Sequence, residues 1–206
     1  MKVVLISDTH NLHEKLVLPD GDIIIHSGDV SGNGTFREAL NFIQWFAELP
    51  YKNKVFIAGN HDFAFEQKMI PISDLPIGTT YLEDSAVTID GLTIYGSPYT
   101  PEFLNWAFMK KRGAQIREVW DNIPNHVDIL VTHGPPLMIL DQTSQGKHQG
   151  CEDLLFKVKQ VKPKVHVFGH IHEAYGMDEQ FGIRFVNASV LDQRYQMVNM
   201  PIVIDI

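Results

Sequence analysis

Five short apolar runs recur along the 206-residue chain: KVVLIS (2–7), DIIIHS (22–27), KVFIAG (54–59), DILVTH (128–133) and KVHVFG (164–169). Their aliphatic and β-branched residues follow one another without polar alternation, as in strands buried on both faces. Each stops at a small residue beside a polar cluster. A longer period marks TFREALNFIQWFAEL (35–49), where Phe36, Ala39, Leu40, Ile43 and Phe46 recur at helical spacing. Thr35 and Glu38 form a T-x-x-E capping box at its start. A second helix is predicted to begin near Cys151 in GCEDLLFKVKQ, and SAVTIDGLTIYGS reads as a hairpin turning at Asp90-Gly91. IRFVNAS and PIVIDI are two further strands. Strands alternating with helices and followed by a hairpin predict an α/β fold with at least one mixed sheet. No repeat or linker interrupts residues 1–206, so one domain is expected.

Composition narrows the picture. Hydrophobic residues make up 44% and charged residues 20%, the balance of an ordinary globular protein. No apolar run approaches the ~20 residues that span a bilayer. The apolar stretch of MKVVLISDTH is too short for a signal-peptide core and lacks a cleavage pattern. A net charge of −8 argues against non-specific binding to long nucleic acid or to a membrane surface, since both call for clustered Lys and Arg. Cys151 is the one cysteine, so no internal disulfide forms, and a cytoplasmic location is expected.

The chemistry gathers just beyond each strand end. KVVLIS runs into Asp8-Thr9-His10, DIIIHS into Gly28-Asp29, and KVFIAG into Asn60-His61-Asp62. DILVTH ends on His133, and the last run enters Gly169-His170-Ile171-His172. In α/β sheets, sites gather beyond the carboxyl ends of strands. Carboxylates, an amide oxygen and imidazoles delivered there together form a donor set for one or two divalent transition metals.

The ordered blocks DTH, GD, GNHD, TH and GHIH resemble the calcineurin-like metallophosphoesterase superfamily across residues 8–172. The strings THGPP, GHIHEAYG and NASVLDQRY are similar to the small metallophosphoesterase-domain-containing (MPPED-type) phosphodiesterases. The resemblance implies a four-layer α/β/β/α sandwich of two mixed sheets flanked by helices, without a cap domain. It assigns Asp8, His10, Asp29 and His172 to one divalent ion, and Asp29, Asn60, His133 and His170 to another, with Asp29 bridging. The metal pair is expected to be manganese, with Fe, Zn, Ni or Co as alternatives. Asn60 and His61 would contact substrate, His61 would protonate the leaving alkoxide, and Asp62 would orient His61. The implied reaction is attack of a metal-bridging hydroxide on a small phosphodiester, nucleotide-derived esters included. A phosphomonoesterase or protein phosphatase is the alternative. A nuclease fits poorly with the acidic charge, and a decayed nucleotide-binding protein fits poorly with an intact set of blocks.

Other candidates have plainer readings. His26 and His166 lie within strands and read as core or as support for the ligands; His13 and His126 are expected to be exposed. His148 is placed on a surface loop and Cys151 in packing. Asn187-Ala188-Ser189 reads as closing a strand near the site. Tyr99, Phe103 and Trp106 are read evenly as a helical apolar face or as a wall that stacks a base. Asp74, Glu83 and Asp84 are expected to be solvated.

Overall fold

The computed structural model describes residues 1–206. In chain order the strands are β1 (Lys2–Ile6), β2 (Ile23–Ser27), β3 (Asn53–Ile57), β4 (Thr79–Tyr81), β5 (Ser85–Ile89), β6 (Leu92–Ser97), β7 (Thr100–Pro101), β8 (Met109–Lys110), β9 (Ile129–Thr132), β10 (Val165–Phe168), β11 (Gly176–Gln180), β12 (Ile183–Asn187) and β13 (Ile202–Asp205). The α-helices are α1 (Phe36–Glu48), α2 (Phe63–Glu66), α3 (Ala114–Asp121) and α4 (Glu152–Val161). One sheet has the order β13-β1-β2-β3-β4 and the other β11-β12-β10-β9-β6-β5. In the first, β1, β2, β3 and β4 run parallel and β13 antiparallel. In the second, β12, β10, β9 and β6 are parallel, with β11 and β5 antiparallel at the two edges. Both sheets are therefore mixed.

Alternate residues of each strand enter different layers, as the two-residue repeat of a pleated strand requires. Val3, Leu5, Ile23, Ile25, Val55 and Ile57 face Ile94, Ile129, Val131, Val165 and Val167 between the sheets. Val4, Ile6, Ile24 and Phe56 point outward against Phe42 and Phe46 of α1. On the other side, Leu130, Phe168 and Phe185 meet Ile116 and Trp120 of α3 and Leu154 and Val158 of α4. This is the α/β/β/α sandwich, with no cap domain, and burial of both strand faces explains the unbroken apolar runs. A seam joins the sheets beyond β1, where Ser7 bridges Ser189 and Val190 N–H donates to the Ser7 carbonyl at 3.0 Å. No helix is long and apolar enough to cross a membrane.

Three local expectations need correction. In α1 the buried face is Ala39, Phe42, Ile43 and Phe46, while Phe36 and Leu40 are 42% and 39% exposed. The stripe tilts toward Phe42 because that ring packs on Phe46 and Phe56. Residues 98–109 form no helix; they make a loop pinned by the β7–β8 pair. His13 is fully buried, its Nε2 2.9 Å from Asn41 Oδ1 and its ring against Trp45. Cys151 is buried as expected and accepts a hydrogen bond from Trp120 Nε1.

The capping box at α1 forms as predicted, and it does more than cap. Glu38 accepts from Thr35 N and Asn33 N, and from Asn11 Nδ2 at 2.6 Å, so the helix start is tied to the loop after β1. Thr35→Ala removes the side-chain acceptor for Glu38 N. The expected loss is about 1 kcal/mol, or a melting temperature lower by about 2–4 °C in a chain of this size, read by thermal denaturation.

Candidate metal centre

The carboxyl ends of β1, β2, β3, β9 and β10 converge at one edge of the sandwich, bringing together the side chains the sequence singled out. Asp8, His10, Asp29, Asn60, His133 and His172 are all buried there, with His61 and His170 half-buried at the opening. Three groups of donor atoms lie close enough to share an ion: Asp8, His10 and His172; Asp8, Asp29 and His133; and His10, Asp29 and His61. Asp29 belongs to two of them. Its Oδ2 stands 3.7 Å from His10 Nε2 and 3.3 Å from His133 Nε2, while Oδ1 accepts from His61 N–H at 2.8 Å. His172 Nε2 is 3.4 Å from Asp8 Oδ1.

Local backbone explains why these residue types stand at these positions. Asp8, His10, Asn11, Asp29 and His170 all have positive φ, between 40° and 68°. Asp, Asn and His tolerate that region best among residues with a Cβ. It turns the chain abruptly off each strand, so that the carboxylates fold back over the strand ends. The motif glycines make room for them. A Cβ on Gly169 would overlap the Asp8 carboxylate and Ser7, and one on Gly59 would overlap the Asp29 carboxylate.

Four imidazoles share one hydrogen-bond arrangement. Nδ1 of His10, His61, His133 and His172 lies 2.8–3.1 Å from the carbonyls of Ser31, Gly32, Ser27 and Asp192 respectively. A carbonyl only accepts, so each Nδ1 carries the proton and each Nε2 lone pair is directed away from the backbone. For His10, His133 and His172 that lone pair faces carboxylate oxygens. His10 Nε2 has no hydrogen-bond partner although it is buried. His133 Nε2 also lies 2.9 Å from Asn60 Oδ1. Acceptors aimed at acceptors repel unless a proton or a metal cation sits between them, and imidazoles held by a backbone carbonyl are characteristic of metal ligands. The donor set therefore fits divalent metal.

Electrostatics in the metal-free chain agree. Burial disfavours charged His133 and His172, but Asp29 and Asp8 respectively overcome it and lift both to about 9. Those imidazoliums in turn hold Asp29 and Asp8 below the usual carboxylate range despite burial. His10 is pushed down by burial, and His170 falls to about 4 through burial and the neighbouring His133 charge. Protons thus occupy Nε2 of His133 and His172, where a cation is wanted.

Asp62 departs from its expected role. Its carboxylate accepts from Val30 N, Ser31 N, Ser31 Oγ and Gly59 N, and it makes no hydrogen bond to the His61 ring, whose Nδ1 is held by Gly32. Asp62 is a buried clasp between the loops after β2 and β3. Burial and the Asp29 charge push it up to about 6, against hydrogen bonds that favour its ionised form. His170 is placed apart from the tight groups: its ring is 5.1 Å from His133, and its N–H donates to Asp8. His26 and His166 are neutral core groups bonded to Thr9 and Thr132. His126 and His148 are exposed, with His148 Nδ1 2.6 Å from buried Asp141. Asp74 is exposed, but Asp84 is half-buried and accepts from Ser97 Oγ.

Several neighbours were not singled out as site residues. Ser189 Oγ donates to Asp8 Oδ2 at 2.7 Å, and Asn187 Nδ2 donates to the Ile171 carbonyl. Their signal was NAS directly after an apolar strand, the same grammar as the other blocks. Trp106 stacks on His61 with centroids 4.3 Å apart, which settles it as a wall of the site. Tyr195, at positive φ, sets its ring edge against His10 and His172, and nothing in the sequence pattern marks it. The cavity over the donors, about 250 Å³, is rimmed by Phe103, Leu104, Trp106, Met109 and Tyr195, and no Lys or Arg lines it.

The calcineurin-like phosphoesterase family model matches residues 1–174. Metallophosphoesterase domain-containing protein 1 of Homo sapiens is 40% identical over 230 residues, covering 100% of this chain and 71% of that protein. Phosphopantetheinyl hydrolase from Mycobacterium tuberculosis is similar in structure, with a TM-score of 0.62 at 15% identity over 94% of this chain and 90% of that one. A novel archaeal phosphodiesterase gives 0.50 at 19% identity over 99% and 100%. At these identities the two structures bear on the fold alone.

The imidazolium protons yield a measurable consequence. If His133 and His172 are ligands, a metal would have to displace one proton from each, so loading at pH 7 should release close to two protons, with affinity rising with pH up to about 9. Without metal, the raised imidazole values contribute stability that is complete below about 6.5 and lost as pH rises through 9. Titration calorimetry in buffers of different ionisation enthalpy reads the first, and melting curves across pH the second.

Proposed function

Since the chain belongs to the calcineurin-like phosphoesterase family and so to the metal-dependent phosphoesterases, we propose that it is a phosphodiesterase acting on small esters. The observation that carries this reading is the set of imidazoles locked through Nδ1, with Nε2 turned toward the Asp8 and Asp29 carboxylates. Asp8, His10, Asp29 and His172 would hold one ion, and Asp29, Asn60, His133 and His170 the other. Asp29 is shared because its Oδ2 stands between His10 and His133. Mixed carboxylate, amide and imidazole donors suit manganese, with Fe, Zn, Ni and Co as competitors. When bound, the ions supply an activated water and positive charge for the phosphoryl oxygens.

The remaining work falls to the chain. The His61 ring is fixed by the Gly32 carbonyl on one nitrogen and by the Trp106 face. With Nδ1–H kept by Gly32, the ring must first take a proton on its free Nε2, and this Nε2–H of the imidazolium form is then the group that hands a proton to the departing alkoxide. The half-buried ring lies within reach of His10 and Asp29, so it works beside the ligands. Asn60 lines the same cavity and can donate from its amide to a phosphoryl oxygen. A rim that is apolar and aromatic, without Lys or Arg, favours a singly charged diester over a dianionic monoester.

A panel of p-nitrophenyl diester and monoester substrates, run with each of these metals, tests the reading. Diester turnover is expected to exceed monoester turnover. Asp29→Ala should lose bound metal and activity together. His61→Ala should keep its metal content while kcat falls by about 10²–10⁴. Metal-loaded protein that hydrolyses neither ester overturns the proposal, and loss of metal from His61→Ala would make His61 a ligand.

A further inference from the structure

Beside the donor cavity lies a second cavity of about 350 Å³, and the two share Phe103 and His170 as a common wall. Its size falls within the ~300–1,000 Å³ typical of small-molecule sites. Pro101, Phe103, Pro135 and Ile171 supply apolar surface, and Thr143 and Gln149 supply a hydroxyl and an amide. Both polar residues are fixed through their backbones. Thr143 N–H donates to the Lys147 carbonyl, and Gln149 N–H donates to the Asp141 carbonyl. Arg112 also lines the cavity, but its guanidinium donates to the Gln149 and Gly150 carbonyls at 2.9 and 2.8 Å. It braces this loop through those two bonds. The cavity therefore suits a group with a flat apolar face and a hydrogen-bonding edge.

We propose that this cavity is the binding site for the non-reacting arm of the diester, and that the arm is a ring system with a hydrogen-bonding edge. The inference rests on the phosphodiesterase reading, because only a diester keeps an arm on phosphorus besides the leaving group. With phosphorus over the donors, the arm crosses the Phe103–His170 wall, where the Phe103 ring, 65% exposed, is free to cover it. Sequence reasoning had no access to this site, because its walls come from four separated segments (101–103, Arg112, 134–149 and 170–171).

Three diesters with one p-nitrophenyl leaving group isolate the effect, their second arms being methyl, phenyl and 5′-thymidyl. In metal-loaded protein the thymidyl ester should exceed the methyl ester in kcat/KM by about tenfold or more, mainly through KM, with the phenyl ester between them. Thr143→Trp, which fills the cavity, should draw the thymidyl-to-methyl ratio toward one, and Gln149→Ala should bring thymidyl close to phenyl. A methyl or phenyl ester that matches the thymidyl ester overturns the proposal, as does a ratio that Thr143→Trp leaves unchanged. Calorimetric binding of thymidine 5′-phosphate against methyl phosphate reads the cavity without turnover. A Kd ratio near one overturns this inference even where diesters are hydrolysed. A ratio of about ten with no hydrolysis keeps the subsite and sinks the phosphodiesterase reading alone.

Discussion

Asp8 and Asp29 are carboxylates with 0% and 2% exposure, set where the two sheets meet, and much of the local structure answers their need for positive charge. An ionised carboxylate taken out of water costs several kcal/mol unless it is paired. Hydrogen bonds meet part of that demand. His170 N–H and Ser189 Oγ reach Asp8, and His61 N–H reaches Asp29. The remainder falls on Nε2 of the surrounding imidazoles, which suits a cation. Asp8 leaves β1 in one sheet, while Ser189 and His170 belong to the other. The same carboxylate thus helps to hold the sheets at the separation the site requires.

That arrangement is costly in backbone terms. Asp8, His10, Asn11, Asp29 and His170 hold left-handed conformations within a small volume. At about 1–3 kcal/mol each, their combined strain is comparable to the ~5–15 kcal/mol net stability of an ordinary domain. Such a cluster persists only where its surroundings over-determine it. Here the parallel strands beneath are buried on both faces, so each loop springs from a rigid end. The Asp62 clasp and the Glu38–Asn11 contact then bind the loops to one another and to α1.

This division of labour explains what could be read from the sequence. Unbroken apolar runs announced doubly covered strands, and the polar residues after them announced the site, because strand ends convert order along the chain into proximity in space. Thr35 and Glu38 were legible because a capping box is local. Side chains whose environment is tertiary were not. Phe42 displaced Leu40 from the buried face of α1 because aromatic partners from β3 and α1 itself received it. His13 was buried by Asn41 and Trp45. Asp62 comes directly after His61 in sequence, yet its carboxylate turns to the Ser31 and Gly59 amides, because adjacent residues on a turn diverge. Tyr195 is held by a turn on Asp192, whose carbonyl also accepts from His172 Nδ1.

The pair His170 and His172 shows how backbone geometry decides chemistry. In a continuing strand, residues two apart face the same side, and the two imidazoles would chelate one ion. The strand stops at Phe168. Gly169, kept bare by the Asp8 carboxylate, leads into His170 at φ 68°, and a short helical turn begins at His172. The rings consequently separate, His170 toward His133 and His172 toward Asp8 and His10. A motif that looks like a chelate instead reaches both flanks of Asp8, so its one-residue spacing helps to set the distance between the two groups of donors. The strain at His170 is what that spacing requires, since an extended residue there would carry both imidazoles to one side and take the His170 ring away from His133.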